Sequence, residues 1–368
     1  MSSYLDTITH DLQGIKKIII EMPRKSTNYG VISFTLLRDV CIMLYEINLV
    51  LKSEGIIQTE PSEMETIKKL RHKMKTDQGM NNRKIFNNLL DNFRKNFGND
   101  IDNIGFYLND DILAISTIYQ TFIFENTPYL NTTSPLPIYH FSKSIGSLTE
   151  SLLNSINKDS KLKSGPLLNI QEKAFTSKDI WNQRFFIDDI THNIFLTRLI
   201  LIQSELTGCI WLEKFLDYNN NELTLDKYIL IRLTSIKFYE IMRNLNSMIS
   251  IKKFEQHWDN FNLKELRLFV VAYNSTIKNE IKTLRNMVHY NNNGTNFYEF
   301  ILNKELENDK YVDELINNLF NKYIFKMRIL ISKGIDINSY ESMSDAEKKQ
   351  RRIRTIVSGK DPFSTNRS

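Results

Sequence analysis

The sequence contains few cysteines, glycines and prolines. Its 368 residues include only two cysteines, Cys41 and Cys209, so it holds neither a disulfide framework nor a CxxC motif. This usage is typical of a reducing compartment, and we expect a cytoplasmic protein. Twelve glycines and seven prolines are too few for the many turns of a β-sandwich or barrel of this size. Their scarcity favours a helical fold.

Long apolar runs and a large charge excess are missing too. The most apolar stretch, residues 195–202, is interrupted by Arg198, and no run reaches the roughly 18–20 apolar residues that a bilayer span needs. The first residues, MSSYLDTITHDLQG, show no basic start followed by an apolar run, so we expect neither a signal peptide nor a membrane partner. A net charge of +5 mildly favours polyanionic partners.

Apolar residues recur at three- and four-residue spacing along most of the chain, which predicts an all-α protein. Prolines and polar loops divide it into an N-terminal helical region (1–126), a linker (127–175), a four-helix up-down bundle (176–333) and a basic polar tail (334–368). The predicted bundle helices are 176–218, 224–250, 263–289 and 297–332. Predicted N-terminal helices are 4–21, 31–53, 62–75, 82–97 and 108–124, with another near 141–157. Ser344 and Glu347 predict a capping box in the tail.

Arg285 and His289 lie four residues apart at the predicted end of the third bundle helix. On a regular helix they would share one face, and the next helix, starting near Asn296, could direct its free N–H groups at the same space. This pattern suits a phosphodiester: the histidine as acid or base toward a ribose hydroxyl, the arginine on the phosphate. The alternative is an ordinary helix end, since basic residues also complement the helix dipole there.

The segment LRNMVHY resembles the signature of the HEPN superfamily, whose ribonuclease members carry an arginine, a polar residue and then a histidine. Arg285, Asn286 and His289 match by residue type, and Tyr290 fits the usual continuation. The resemblance implies a helical bundle that forms a homodimer, with the arginine and histidine of both subunits in one cleft. Three residues separate the arginine from the histidine here, whereas the superfamily usually has four to six.

The resemblance also implies a function: a metal-independent endoribonuclease without cofactors, acting as a toxin or anti-phage abortive-infection effector. Asn286 would support the geometry of the site. The expected partners are RNA, with tRNA among the candidates, and an inhibitor, antitoxin or trigger protein. Two rivals remain open: a non-catalytic HEPN-like RNA-binding or protein-interaction module, which the short spacing favours, and a helical scaffold in which the motif is only a helix end.

Further basic and aromatic residues are candidates for RNA contact. Each lysine or arginine that meets a phosphate adds salt-dependent affinity without sequence preference. The alternative for the C-terminal run is a solvated basic helix. The candidate contacts are Lys282, Tyr290, Lys349, Arg351 and Arg352.

An internal repeat is a further hypothesis. TIKKLRHKMKTDQGMN at 66–81 can be aligned with EIKTLRNMVHYNNNGTN at 280–296, with Lys75 in the place of His289. A duplication would make the N-terminal half a degenerate copy that lost its histidine. The alternative is that lysine-rich amphipathic helices ending in glycine loops resemble one another by composition.

Overall fold

The structure, a computed structural model, describes residues 3–26, 28–71, 87–91, 103–125, 127, 129, 136–156, 175–219, 222–290 and 295–357. Its described part contains 16 α-helices and one small three-stranded sheet, so the prediction of an all-α protein is confirmed. The N-terminal helices are α1 (Ser3–Lys25), α2 (Tyr29–Ile32), α3 (Phe34–Ser53), α4 (Met64–Arg71), α5 (Thr117–Phe124) and α6 (Leu136–Ser155). Residues 87–91 are helical as well.

The sheet replaces the start of a predicted helix. Its strands are β1 (Asn103–Asn109), β2 (Ile112–Ser116) and β3 (Thr176–Trp181), antiparallel in the order β2-β1-β3. Asp110 and Asp111 form the β1–β2 turn with φ of 54° and 61°, the left-handed conformation that aspartate tolerates better than most residues. The helix predicted over 108–124 is therefore wrong before Thr117.

The long helix predicted over 176–218 is also divided. Its first six residues form β3, which pairs with β1 from Asn103↔Trp181 to Leu108↔Thr176. The short helix α7 (Asn182–Phe185) follows, and α8 (Ile190–Phe215) begins only after Asp189. The Asp189 carboxylate accepts the N–H groups of Thr191 and His192 at 2.8 and 3.2 Å, so it acts as an N-cap.

The rest of the C-terminal region keeps the predicted order but breaks the last two long helices. The prediction for α9 (Leu225–Ser250) is confirmed. The helix predicted over 263–289 is two helices, and the one predicted over 297–332 is broken after Glu307 and includes a π-helical segment (Asn318–Ile324). The further helices are α10 (Glu255–Asn260), α11 (Lys264–Ser275), α12 (Lys278–Asn286), α13 (Phe297–Glu307), α14 (Tyr311–Asn317), α15 (Phe325–Ile335) and α16 (Asp345–Val357), with 3-10 turns at Lys252–Phe254 and Ile337–Ser339.

The helix α8 lies at the centre of the protein. It is long and apolar enough to cross a membrane, yet 94% of its apolar window is buried inside the protein, which is the environment of a core helix. It contacts α9, α15, β2 and α3. The helix α1 packs against α9 and α13, so the N-terminal helices and the C-terminal bundle share one hydrophobic core.

Candidate functional site

The end of α12 differs from the regular helix that the sequence predicts. The helix ends at Asn286. The N–H groups of Val288 and His289 bond the carbonyls of Arg285 and Asn286, each at 3.2 Å, and these bonds span three residues rather than four. The tightened turn rotates His289 away from the helical position above Arg285, so the two side chains face different partners.

His289 faces a carboxylate on α3. Its Nδ1 lies 3.0 Å from Oε2 of Glu46, and the side chains are 40% and 11% exposed. The other carboxylate oxygen, Oε1, accepts from Nη1 of Arg71 at 2.5 Å. The Arg71 guanidinium also stacks on Tyr45, 3.7 Å from the ring centroid. A histidine and an arginine thus converge on one acid from the N-terminal half.

Arg285 faces a second carboxylate, on α9. Its Nη2 lies 3.4 Å from Oε1 of Glu240, and its side chain is 15% exposed. Nη1 donates to the amide oxygen of Asn286 at 3.4 Å. The guanidinium lies 5.6 Å from the Tyr239 ring centroid. Arg243 also approaches Glu240, at 3.6 Å. The structure therefore gives Arg285 a carboxylate partner and Asn286 a supporting contact.

A buried ion pair anchors the turn that carries His289. The Asp11 carboxylate on α1 accepts from Arg232 at 2.9 Å and from the Tyr290 hydroxyl at 2.6 Å. Arg232 also donates to the carbonyl of Met287 at 3.1 Å. Burial alone would lower the pKa of Arg232, but the Asp11 carboxylate together with Tyr290 and Tyr228 raises that pKa above its ordinary value. Burial, followed by the charge of Asp11, raises the pKa of Tyr290, so its hydroxyl stays protonated.

This anchoring changes the expected role of Tyr290. The residue is 6% exposed and its hydroxyl is bonded to Asp11. It therefore fixes the backbone next to His289 and offers no open ring face to a base. The N-terminus of α13 is likewise engaged: the N–H groups of Tyr298 and Glu299 donate to the side chains of Thr7 and Asn296. Those groups bond within the protein rather than facing an open phosphate site.

The other predicted RNA contacts lie in two neighbourhoods. Lys282 is exposed on α12, the helix of the candidate site. Lys349 is exposed on α16, whereas Arg351 is partly buried, and burial lowers its pKa against the opposing charge of Asp179 on β3. The side chain of Arg352 lies outside the described residues. The helix α16 is fastened to β3 by Glu347, which accepts from the Trp181 indole at 2.9 Å.

The segment proposed as a repeat lies partly within the described residues. Ile67 and Leu70 on α4 are fully buried, as are Ile281 and Leu284 on α12. Arg71, the residue aligned with Arg285, is the arginine that binds Glu46. The rest of the aligned segment, including Lys75, lies outside the described residues, as do residues 291–294.

Sequence reasoning missed the two acids, Glu46 and Glu240, and gave Arg71, which the alignment places on Arg285, no role in the site. One signal for the acids was available: the tripeptide Tyr-Glu-Ile occurs at 45–47 and again at 239–241. Each tripeptide lies on a long helix, and its glutamate contacts the arginine of a Leu-Arg pair later in the same half of the chain. The site is therefore a pair of related Tyr-Glu-Arg clusters, one of which also receives a histidine.

Chemically, the arrangement resembles an acid–base site. If Nδ1 of His289 donates its proton to Glu46, the neutral ring keeps Nε2 as the proton acceptor. A partly exposed imidazole is accessible to a substrate hydroxyl. The two guanidiniums supply donors whose planar geometry suits a phosphate, although each is already paired with a carboxylate.

Comparison with known proteins returned no match. No family model matches the sequence, and neither the curated proteins nor the solved structures contain a match to the chain.

Proposed function

We propose that the protein is a metal-independent endoribonuclease of HEPN type, cytoplasmic and active as a toxin or anti-phage abortive-infection effector. The single observation that carries the proposal is the position of His289: partly exposed, and held by the Glu46 carboxylate at 3.0 Å. A carboxylate beside an imidazole fixes the ring and its tautomer, which general acid–base catalysis requires. The resemblance of LRNMVHY to the HEPN signature supplies the class of substrate, an RNA.

In this reaction the ribose 2′-oxygen attacks the adjacent phosphorus. A 2′-oxygen–phosphorus bond forms, the bond from phosphorus to the 5′-oxygen breaks, and the leaving 5′-oxygen takes up a proton. His289 accepts the proton of the 2′-hydroxyl, and the imidazolium returns it toward the leaving oxygen. Arg285 stabilises the charge that develops on the phosphate. Asn286, bonded to Arg285 at 3.4 Å, holds the guanidinium in place.

One observation favours a second function, that of a non-catalytic RNA-binding or protein-interaction module. Arg285 is mostly buried and already paired with Glu240. A guanidinium in that state must exchange a carboxylate for a phosphate before it can act on RNA. In the second function Arg285 and Glu240 would form a structural pair, and the exposed lysines would make the nucleic-acid contacts.

The test compares wild type with His289→Ala and Arg285→Ala. Purified proteins are incubated with end-labelled RNA, with and without EDTA, and induced cultures are followed for growth and total RNA. His140→Ala is the matched control because His140 is an exposed histidine on α6, far along the chain from the site. We expect cleavage in EDTA by wild type and the control, and a loss of about 10²-fold or more in His289→Ala.

The proposal is overturned if folded His289→Ala protein cleaves RNA as fast as wild type. Equal growth of all strains on induction would be followed by phage challenge, which supplies the trigger that an abortive-infection effector needs. Protection that is indifferent to both substitutions, together with RNA binding that weakens in Lys282→Ala, would establish the non-catalytic function instead.

A further inference from the structure

Two buried ion pairs cross between the N-terminal and C-terminal halves. Asp11 of α1 binds Arg232 of α9 at 2.9 Å, and Glu205 of α8 binds Arg38 of α3 at 3.1 Å. All four side chains are fully buried. In each pair the acid comes from the first long helix of one half and the arginine from the following long helix of the other half.

The four residues correspond to one another in sequence. The shift in numbering that takes Asp11 to Glu205 also takes Arg38 to Arg232, with no insertion or deletion. The same shift aligns the Asp-Leu-x-Gly segment at 11–14 with Glu-Leu-x-Gly at 205–208. It further aligns Leu-Leu-Arg at 36–38 with Leu-Ile-Arg at 230–232, and Tyr-Glu-Ile at 45–47 with 239–241.

The glycines of these segments make equivalent contacts. A Cβ on Gly14 would lie 2.6 Å from the side chain of Ile229, and a Cβ on Gly208 would lie 2.9 Å from Thr35. Thr35 and Ile229 are aligned by the same shift. Helix α1 therefore crosses α9 at the position where α8 crosses α3. Reciprocal contacts between equivalent residues are the mark of a two-fold interface.

Each half also holds a similar cluster of its own, although the arginine follows its glutamate by 25 residues in the first half and by 45 in the second. Glu46 and Tyr45 bind Arg71, as Glu240 and Tyr239 bind Arg285. Chance similarity between amphipathic helices explains matching apolar residues. It does not explain why the aligned acids, arginines and glycines of the two helix crossings make matching contacts with the opposite half. Nor does it explain why each half places a glutamate against an arginine of its own.

We propose that the chain is two copies of one helical unit paired about an internal two-fold axis, and that one chain thereby completes the candidate site. Within it, Glu46 of the first copy is the positioning residue for His289 of the second, and Arg71 is the counterpart of Arg285. The pairing rests on the contacts above. The catalytic roles rest on the proposed function. The homodimer expected from the sequence is then not needed to bring the two copies together.

The positioning role is tested by NMR of isotope-labelled histidine, which needs no activity. In wild type the neutral His289 ring should be held as the Nδ1–H tautomer, and Glu46→Ala should return it to the mixture of a free imidazole. Glu240→Ala is the matched control, because Glu240 binds Arg285 instead, and it should leave the tautomer unchanged. Signals are assigned with His289→Gln. A tautomer that ignores Glu46→Ala, or that responds equally to Glu240→Ala, overturns this role.

Completeness within one chain is tested by complementation. Chains carrying His289→Ala and Arg71→Ala are co-expressed with the same tag, purified as one preparation and assayed on RNA. Each variant alone should lose about 10²-fold, and the pair should show no recovery, because each chain lacks one part of its own site. Recovery toward wild type in the mixed species would show a site shared between chains. Full activity of Arg71→Ala alone would remove Arg71 from the site.

Failure of the proposed function is distinguishable from failure of this inference. If wild type cleaves no RNA, the tautomer experiment still decides whether Glu46 positions His289. Destabilisation is monitored by thermal unfolding, and Arg71→Lys serves where Arg71→Ala does not fold. The lysine keeps the charge but loses the planar stacking on Tyr45 and the paired donors.

Discussion

The two crossed ion pairs lie at equivalent positions of the two halves but have different surroundings. Around Glu205 the structure places two cations and a second acid: Lys237 at 2.8 Å, with Asp39 bound to Arg38 at 2.6 Å. Around Asp11 there is one cation, Arg232, and the hydroxyls of two tyrosines. The first network is closed within the core. The second extends to the backbone beside His289.

This difference separates a network that only joins helices from one that also reaches the turn that carries His289. The Glu205 network holds α3, α5, α8 and α9 together. The Asp11 network does the same for α1 and α9, yet through Tyr290 and the Met287 carbonyl it also fixes the last turn of α12. Equivalent positions can therefore be substituted in pairs to separate a structural role from a functional one.

The largest loss of stability is expected from substituting the two buried acids, Asp11 and Glu205. Asp11→Asn leaves Arg232 buried without an anionic partner, a change that typically costs about 3–5 kcal/mol. Glu205→Gln should cost less, about 1–3 kcal/mol, because Asp39 still contacts both Arg38 and Lys237. Urea denaturation of the two variants measures the difference. Equal losses would mean that Asp39 does not share the charge of the cations.

The tyrosines give the second comparison. Tyr290 donates to Asp11 at 2.6 Å and Tyr119 donates to Glu205 at 2.7 Å. Replacing either by phenylalanine removes a buried hydrogen bond to a carboxylate, worth about 1.5–3 kcal/mol. We expect similar losses of stability in both variants, but a lower rate of RNA cleavage only in Tyr290→Phe. Equal rates would show that the anchor does not govern the position of His289.

The third comparison concerns the two glycines at which helices cross closely, Gly14 and Gly208. Gly14→Ala forces a methyl group against Ile229 and should destabilise by about 1–3 kcal/mol, reduced by the better helix propensity of alanine. Adding Ile229→Ala makes room, so the double variant should lose less than the sum, with a coupling of about 0.5–3 kcal/mol. Gly208→Ala with Thr35→Ala forms the equivalent cycle. Additive losses in either cycle would contradict the close crossing of those helices.

The smallest expected effect is a pH-dependent loss of stability at α16, which lies outside the two related halves. The backbone N–H of Ser344 and then the Trp181 indole lower the pKa of Glu347 from an ordinary 4.5 to about 2. A carboxylate with a depressed pKa stabilises the fold above its ordinary pKa, and this contribution is lost as the pH falls from about 4.5 toward 2. Trp181 fluorescence should report release of α16 in that window. Glu347→Gln should show no such transition.

Much of the helical framework was readable from the sequence. The scarcity of glycine and proline and the apolar spacing predicted an all-α protein, the complete helix α9 and the capping box of Ser344 with Glu347, which the structure contains at 2.7–3.3 Å. The hairpin at 103–116 was missed because its strands are short and its turn uses two aspartates instead of glycine. The break before α8 was missed because β3, with the sequence TSKDIW, is mostly polar and lacks the apolar alternation that distinguishes a strand from the start of a helix.

Sequence by itself singled out Arg285, Asn286 and His289 as candidate site residues, and the segment at 66–71 that aligns with theirs carries a second arginine. Only the tertiary structure decided their partners. Because the turn tightens after Asn286, His289 contacts Glu46 while Arg285 contacts Glu240. The two glutamates are far apart in the chain. Such pairs depend on how α3, α9 and α12 cross, and helix crossings are set by the packing of the whole core rather than by any local pattern.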